Sequence, residues 1–283
     1  AQGAKGIIVV AEDADAAATS VNKAVDAGVK VISYDRLIHS TKVVYMTFDN
    51  TLVGVNEADG VVKALGLNDP KQTKWTKANP ALIFMMGGNP NDNNAHLVRD
   101  GQLSVVKKYF DSGVAKQVGD QWVENWDPAK ALDIMANGLT ANKNKIDAVI
   151  ASNDGTAGGA VQALQAQKMT IPISGQDADA DACNRIVKGT QTVTVFKDVR
   201  VLAAKAVEAM DALVAGKTVD GLKAMDYKAL TAKDTPTGNI QVLFLDVVQV
   251  TKDNVYDVVV KSGFQKYDDV YRDIPDAQKP PKP

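Results

Sequence analysis

Six short polar stretches hold the side chains able to do chemistry. They are Ser33-Tyr34-Asp35-Arg36, Gly87-Gly88-Asn89-Pro90-Asn91-Asp92-Asn93-Asn94, Asp120-Gln121-Trp122-Val123-Glu124-Asn125-Trp126, Ser152-Asn153-Asp154, Gly175-Gln176-Asp177 and Phe196-Lys197. Together they offer carboxylates, carboxamides, an arginine, a lysine and indoles. They contain no thiol or histidine, and no nucleophile paired with a base. Carboxylates accept hydrogen bonds, amides both donate and accept, and Arg or Lys only donates. That mixture suits an uncharged ligand covered with hydroxyls, each of which gives and takes. An indole face adds a flat apolar plate for the C–H face of a sugar ring. The plainer reading is that these residues are caps and turn formers, which loops favour in any case. Loop pattern alone leaves both readings standing.

Other local signals point away from catalysis and metals. Asp177-Ala178-Asp179-Ala180-Asp181 opens like a calcium loop, but Ala182 stands where glycine is needed and Lys188 where glutamate is needed. No metal and no cofactor are expected. Gly87-Gly88 and Gly158-Gly159 fit neither dinucleotide nor P-loop spacing, so close helix–sheet packing is their expected use. His39 and His96 are read as structural, Cys183 as a packed side chain, and Trp75 as a surface-loop or edge residue. Trp122 is either a core anchor or a ligand contact. Asp35 and Asp177 could in principle form a glycosidase-like carboxylate pair, but nothing in the sequence drives their pKa values apart.

The polar stretches follow short apolar runs. The spacing predicts strands at 6–10, 29–32, 43–47, 81–85, 114–118, 148–151, 171–174, 192–195 and 241–248. Between them it predicts helices at 15–27, 51–65, 94–110, 128–137, 155–167, 179–188, 199–215 and 254–262. Gly28 sits where a C-terminal helix cap belongs, and Asp127-Pro128 places an acceptor before a proline at the first helical position. Alternating strands and helices imply an α/β fold with mainly parallel sheets and right-handed crossovers. Ligands of such sheets bind beyond the carboxyl ends of the strands, which is where the polar stretches lie.

The chain has 283 residues, long enough for roughly two domains. Hydrophobic residues are 45% and charged ones 23%, which excludes wholesale disorder. A net charge of -2 argues against binding nucleic acid by phosphate neutralisation. One cysteine excludes an internal disulfide. The proline-rich end, 275–283, has little apolar content and is expected to be mobile.

Taken in order, these segments resemble the periplasmic sugar-binding proteins of ABC transporters. The resemblance rests on Ser33-Tyr34-Asp35-Arg36-Leu37-Ile38, the stretch from Met86 to Asn94, Gly119-Asp120-Gln121-Trp122-Val123 with Trp126, the run from Asn144 to Asp154, Ser174-Gly175-Gln176-Asp177-Ala178-Asp179, and the run from Gly189 to Lys197. It extends to about Phe264. It implies two Rossmann-like, doubly wound lobes joined by a three-segment hinge, the type I architecture. The first lobe would comprise 1–92 and 198–246, and the second 93–197 and 247–270, with 271–283 a flexible tail. The chain would pass to the second lobe near 88–94.

By the same resemblance, Asp35 and Arg36 hold ring hydroxyls from the first lobe, and Asp92 and Asn94 act near the first crossover. Trp126 stacks on the pyranose, Asn153 and Asp177 bind from the second lobe, and Lys197 binds from the second crossover. The implied ligand is D-xylose or a related monosaccharide. The implied role is non-enzymatic: a periplasmic (or extracellular, membrane-associated), monomeric substrate-binding subunit that presents sugar to a membrane permease. A sugar-sensing regulatory domain of the same fold, docking a signalling partner, is the alternative. Members of the family carry a further βαβα segment of roughly 60 residues, two βα repeats, before the strand matching 6–10. The resemblance therefore implies a truncated or cleaved chain whose first lobe is incomplete and exposes an unpaired strand edge.

Overall fold

The computed structural model describes residues 3–231 and 235–283. In chain order the elements are β1 (Gly6–Val9), α1 (Ala14–Asp26), β2 (Lys30–Tyr34), β3 (Val44–Phe48), α2 (Asn50–Leu65), β4 (Ala81–Gly87), α3 (Asn93–Ser112), β5 (Ala115–Trp122), α4 (Pro128–Ala141), β6 (Ala148–Ala151), α5 (Asp154–Ala166), α6 (Ala180–Lys188), β7 (Thr194–Phe196), α7 (Val199–Val214), β8 (Lys223–Asp226), β9 (Asn239–Leu245), β10 (Val248–Val250) and α8 (Tyr267–Val270).

They sort into two compact units. Unit 1 holds the described residues of 1–49, 91–97 and 198–246; unit 2 holds those of 50–90, 98–197 and 247–283. The first passage between units thus lies at Asp49-Asn50, and further passages lie at 90–91 and 97–98. The physical reason is the packing of α2. Its buried Ala58, Val61 and Val62 join Ile83, Met85 and Ile150 in one core cluster, so the helix that follows β3 belongs with the β4 sheet. Only the short segment Asn91–Leu97 falls with unit 1.

Unit 1 is a sheet of order β1-β2-β3-β9-β8. Its first four strands are parallel, and β8 runs antiparallel to β9. The core gathers Val31, Ile38, Tyr45, Tyr227, Ile240 and Val242. Among the described residues β1 pairs only with β2, and its Ile8, like Val10 just after it, is exposed. The α1 start is fixed by Asp13, whose carboxylate accepts from the amides of Asp15 at 3.0 Å and Ala16 at 2.9 Å. Gly28, at φ 87°, supplies the left-handed turn after it.

Unit 2 is built on β5-β4-β6, all parallel. Strand β4 is covered on both faces, and its alternation sorts the core. Phe84 and Met86 pack with Val149, Met135 and Leu164 on one side. Ile83 and Met85 pack with Ile150, Val61 and Val106 on the other. Each such fully buried side chain contributes about 1.5–3 kcal/mol. Helices α2 and α3 meet backbone to backbone: a Cβ on Gly54 would overlap the Val98 carbonyl, and one on Gly101 the Thr51 carbonyl.

Several sequence expectations are corrected. The run 241–248 is two strands, β9 pairing with β3 in unit 1 and β10 pairing antiparallel with β7 in unit 2. The run 171–174 makes only an isolated bridge, Ile173 to Val149. Helix 254–262 is instead a π-helical turn at Tyr256–Val260. The end is anchored rather than loose: Tyr271 and Ile274 are buried, and the Tyr256 and Tyr267 hydroxyls each donate at 2.6 Å to the carbonyls of Pro281 and Pro280. Trp75 is buried, with its indole N–H donating to the Leu65 carbonyl at 2.8 Å. The paired glycines serve neighbours other than helix–sheet contacts. Gly87 and Gly88 make room for Trp122 and Trp126, and Gly159 lets α5 meet the Pro128 carbonyl of α4.

Candidate functional site

Unit 1 assembles four of the eight residues singled out above. Asp35 follows β2 in the left-handed region at φ 61°. A non-glycine residue held there costs about 1–3 kcal/mol, and its surroundings hold it. The Asp35 carbonyl accepts from the Tyr45 hydroxyl at 3.1 Å, the Thr47 hydroxyl at 2.9 Å and the Asn94 amide at 3.1 Å. Arg36 Nε lies 3.5 Å from Asp92 Oδ2, the Arg36 side chain 29% exposed and that of Asp92 5%. Asp92 also accepts from the Asn94 backbone amide at 3.0 Å. Asp35, Arg36, Asp92 and Asn94 therefore form one cluster, in which Asn94 holds Asp35 in place. Burial, reinforced by Asp35 and Asp92, pushes the Tyr45 hydroxyl upward against its bond to Thr47. Tyr45 therefore stays a donor.

Unit 2 assembles the other four beyond the carboxyl ends of adjoining strands. The Ser152 amide donates to the Met86 carbonyl at 3.1 Å, which sets the ends of β4 and β6 side by side. The Asp154 amide donates to the Gln176 carbonyl at 3.0 Å, and that of Asp177 to the Val195 carbonyl at 2.9 Å. These bonds carry the row on to β7. Trp126 lies against Gly88, at the end of β4, with Asn125 and Trp126 both at φ 57°. Trp122 lies against Gly87 beneath the Arg99 guanidinium, 5.1 Å from the ring centre, and Arg99 is paired with Asp120. Asn153 caps α5 by accepting from the Thr156 amide at 2.9 Å. Lys197 Nζ sits 3.0 Å from Asp177 Oδ1, with Lys197 12% exposed.

Beneath this row lies a buried polar network that the sequence reading missed. Gln102 donates to Glu57 at 2.7 Å and to the Ser152 hydroxyl at 3.0 Å, and Gln176 donates to the Ser152 carbonyl at 2.7 Å. Burial pushes Glu57 well above the usual carboxylate range; Asp177 and Asp154 add to this, while Gln102 and Lys197 oppose it. Asp154 is pushed up to about 8, first by burial and then by Asp177, against hydrogen bonds from Gln191, Thr194 and Asp179. The signal for Glu57 was available. Val53, Glu57 and Val61 share one helical stripe at four-residue spacing, and a carboxylate on an apolar stripe marks a buried polar site. Tyr45 and Thr47 carried no such mark, since alternating residues of a strand look alike whichever loop they support.

Chemically, unit 1 combines a carboxylate–cation pair with the carboxamide of Asn94, and unit 2 holds a second such pair with a carboxamide and an indole at adjoining strand ends. Such groups can orient hydroxyls.

A family model described as the periplasmic binding protein domain matches residues 1–218. The chain belongs to this family. The D-xylose-binding periplasmic protein of Escherichia coli (strain K12) is 41% identical over 268 residues, spanning 94% of this chain and 75% of that relative. The multiple sugar-binding periplasmic receptor of Rhizobium radiobacter is 36% identical over 284 residues, spanning 94% and 76%. Among solved structures, an ABC transporter solute-binding protein from Clostridium phytofermentans with bound β-D-glucose matches with a TM-score of 0.83 and 29% identity, covering 95% of this chain and 83% of that one. This periplasmic binding protein thus has the type I α/β fold implied by the resemblance. The named relatives are binding proteins rather than enzymes.

Proposed function

We propose that this chain is the periplasmic sugar-binding component of an ABC importer and that its ligand is D-xylose. The observation that carries the reading is the pair of buried or half-buried carboxylate–cation contacts, Arg36–Asp92 and Lys197–Asp177, each at the loop end of its own sheet. Such pairs are pre-oriented for hydroxyls, because the cation donates and the carboxylate accepts. Identity of 41% to a D-xylose-binding relative supports the choice of sugar. In this reading the two units act as the lobes of a binding protein. Asp35, Arg36, Asp92 and Asn94 serve from one, and Trp126, Asn153, Asp177 and Lys197 from the other. The sugar favours a closed form through contacts made only there. A membrane permease is the partner that receives it.

A panel of monosaccharides in a thermal-shift assay tests this. At a hundredfold excess over Kd a ligand adds about 2.7 kcal/mol to the native state, worth roughly 4–5 °C at this chain length. D-xylose should give the largest rise. A panel in which no sugar raises Tm removes the reading. The name of the Rhizobium radiobacter relative, a receptor, favours a second role, in which the sugar-loaded protein docks a signalling partner. Retention of a sensor kinase on sugar-loaded but not sugar-free protein would single that role out.

A further inference from the structure

We propose that Asp154 is a positioning residue for ligand binding, a clamp that holds the Asp177–Ala178 turn so that Asp177 meets Lys197. The proposal rests on the sugar-binding reading above and adds a residue to it. An aspartate in the first turn of a helix has a plain role, complementing the helix dipole. The geometry of Asp154 is different. The capping work of α5 is done by Asn153 and Thr156, and the Asp154 side chain is buried and turned toward neighbouring segments. Its Oδ1 accepts from Gln191 Nε2 at 2.8 Å, and its Oδ2 from the Thr194 hydroxyl at 2.8 Å and the Asp179 amide at 3.0 Å. Gln191 and Thr194 lie 37 and 40 residues along the chain. Room for the carboxylate is reserved by Gly175, where a Cβ would overlap Asp154 Oδ1.

These bonds converge on one strained turn. Asp177 and Ala178 are both left-handed, at φ 99° and 53°, a conformation neither residue prefers. The Ala178 amide donates to Thr194 Oγ1 at 3.1 Å. When Asp154 is ionised, that hydroxyl's one proton goes to it, and its role as acceptor for Ala178 is then fixed. Asp154 thus restrains the amide of Asp179 directly and that of Ala178 through Thr194. The remaining amide of the turn, Asp177, is held by the Val195 carbonyl at 2.9 Å. The turn so fixed presents the Asp177 carboxylate 3.0 Å from Lys197.

Against the carboxylate that Asp154 carries above about pH 8, Asp154→Asn keeps the outline and replaces one acceptor by a donor, which must then face a donor. Calorimetry with D-xylose at about pH 9, above that range, should show binding at least tenfold weaker at unchanged far-UV circular dichroism, and Thr194→Val should weaken it at least threefold. A clamp acts through Asp177, so Asp154→Asn should change affinity less than twofold in an Asp177→Asn background. Wild-type affinity in both single variants, or the same factor in both backgrounds, overturns the proposal. Hydrogen exchange gives a readout that needs no sugar: the Ala178 and Asp179 amides should exchange faster in Asp154→Asn, and unchanged protection there also overturns the clamp. A wild-type protein that binds none of the panel sugars would instead overturn the functional reading, with exchange alone then deciding the clamp.

Discussion

Replacing Gly88 by alanine tests the indole plate without touching a ligand group. Gly88 does not occupy the left-handed region, so its backbone accepts alanine. The new methyl would overlap three carbons of the Trp126 six-membered ring, Cη2, Cζ3 and Cζ2. Carbon pairs settle at about 3.5 Å, so the ring must back away by about 1.5 Å, and even a 1 Å gap forfeits up to half of a dispersion contact. Face contacts of aromatic rings are worth about 0.5–1.5 kcal/mol beyond the area they bury. On that scale, losing the plate weakens sugar binding about 2- to 12-fold. Titration calorimetry with D-xylose measures the change, and Gly88→Ala combined with Trp126→Ala should be no worse than Trp126→Ala alone. Full affinity in Gly88→Ala, or simple additivity with Trp126→Ala, would refute the idea that the sugar rests on this indole.

Asp177→Ala and Arg36→Ala should each weaken D-xylose binding by more than tenfold in calorimetry, because each removes one half of a carboxylate–cation pair assigned to the sugar. Wild-type-like affinity in both would remove the assigned site. The buried carboxyls predict a pH dependence of stability. Glu57 and Asp154 are protonated more readily in the native state than in the unfolded chain. The native state therefore binds the extra protons, and their contribution declines as pH rises from the ordinary carboxylate range through about 8 for Asp154. Glu57→Gln, which cannot ionise, should flatten the fall of Tm between pH 5 and 8, by at most about 1.4 kcal/mol per pH unit. Parallel pH profiles for the variant and the wild type would sink that account.

Much of this molecule was legible in its residue order because strong signals act over a few residues. The four-residue run 148–151 was read as a strand and is one. Asp127-Pro128 marked the start of α4 because an acceptor and a missing N–H leave that peptide little else to do. Of the eight residues assigned from the resemblance, Asp35, Arg36, Asp92 and Asn94 are linked by direct contacts and Asp177 is paired with Lys197, while Trp126 and Asn153 lie at neighbouring strand ends. What could not be read locally was partnership. Nothing between Val242 and Val250 announces that its two halves join different sheets. The antiparallel β8, with exposed and half-buried residues throughout, lacks the apolar run that would reveal it. The assignment of α2 to unit 2 depends on which strands its valines meet, and Trp75 was misread because its charged neighbours hid a core position.

The placement of the tryptophans has a spectroscopic consequence. The chain has three, at 75, 122 and 126, and all belong to unit 2. Indole emission accordingly comes from unit 2, whereas the aromatic chromophores of unit 1 are phenolic and phenyl rings such as Tyr45, Tyr227 and Phe48. Denaturation followed at 295 nm excitation reads fluorophores placed in one unit, while ellipticity sums both. Any lag between the two curves is then a direct reading of how independently the halves come apart.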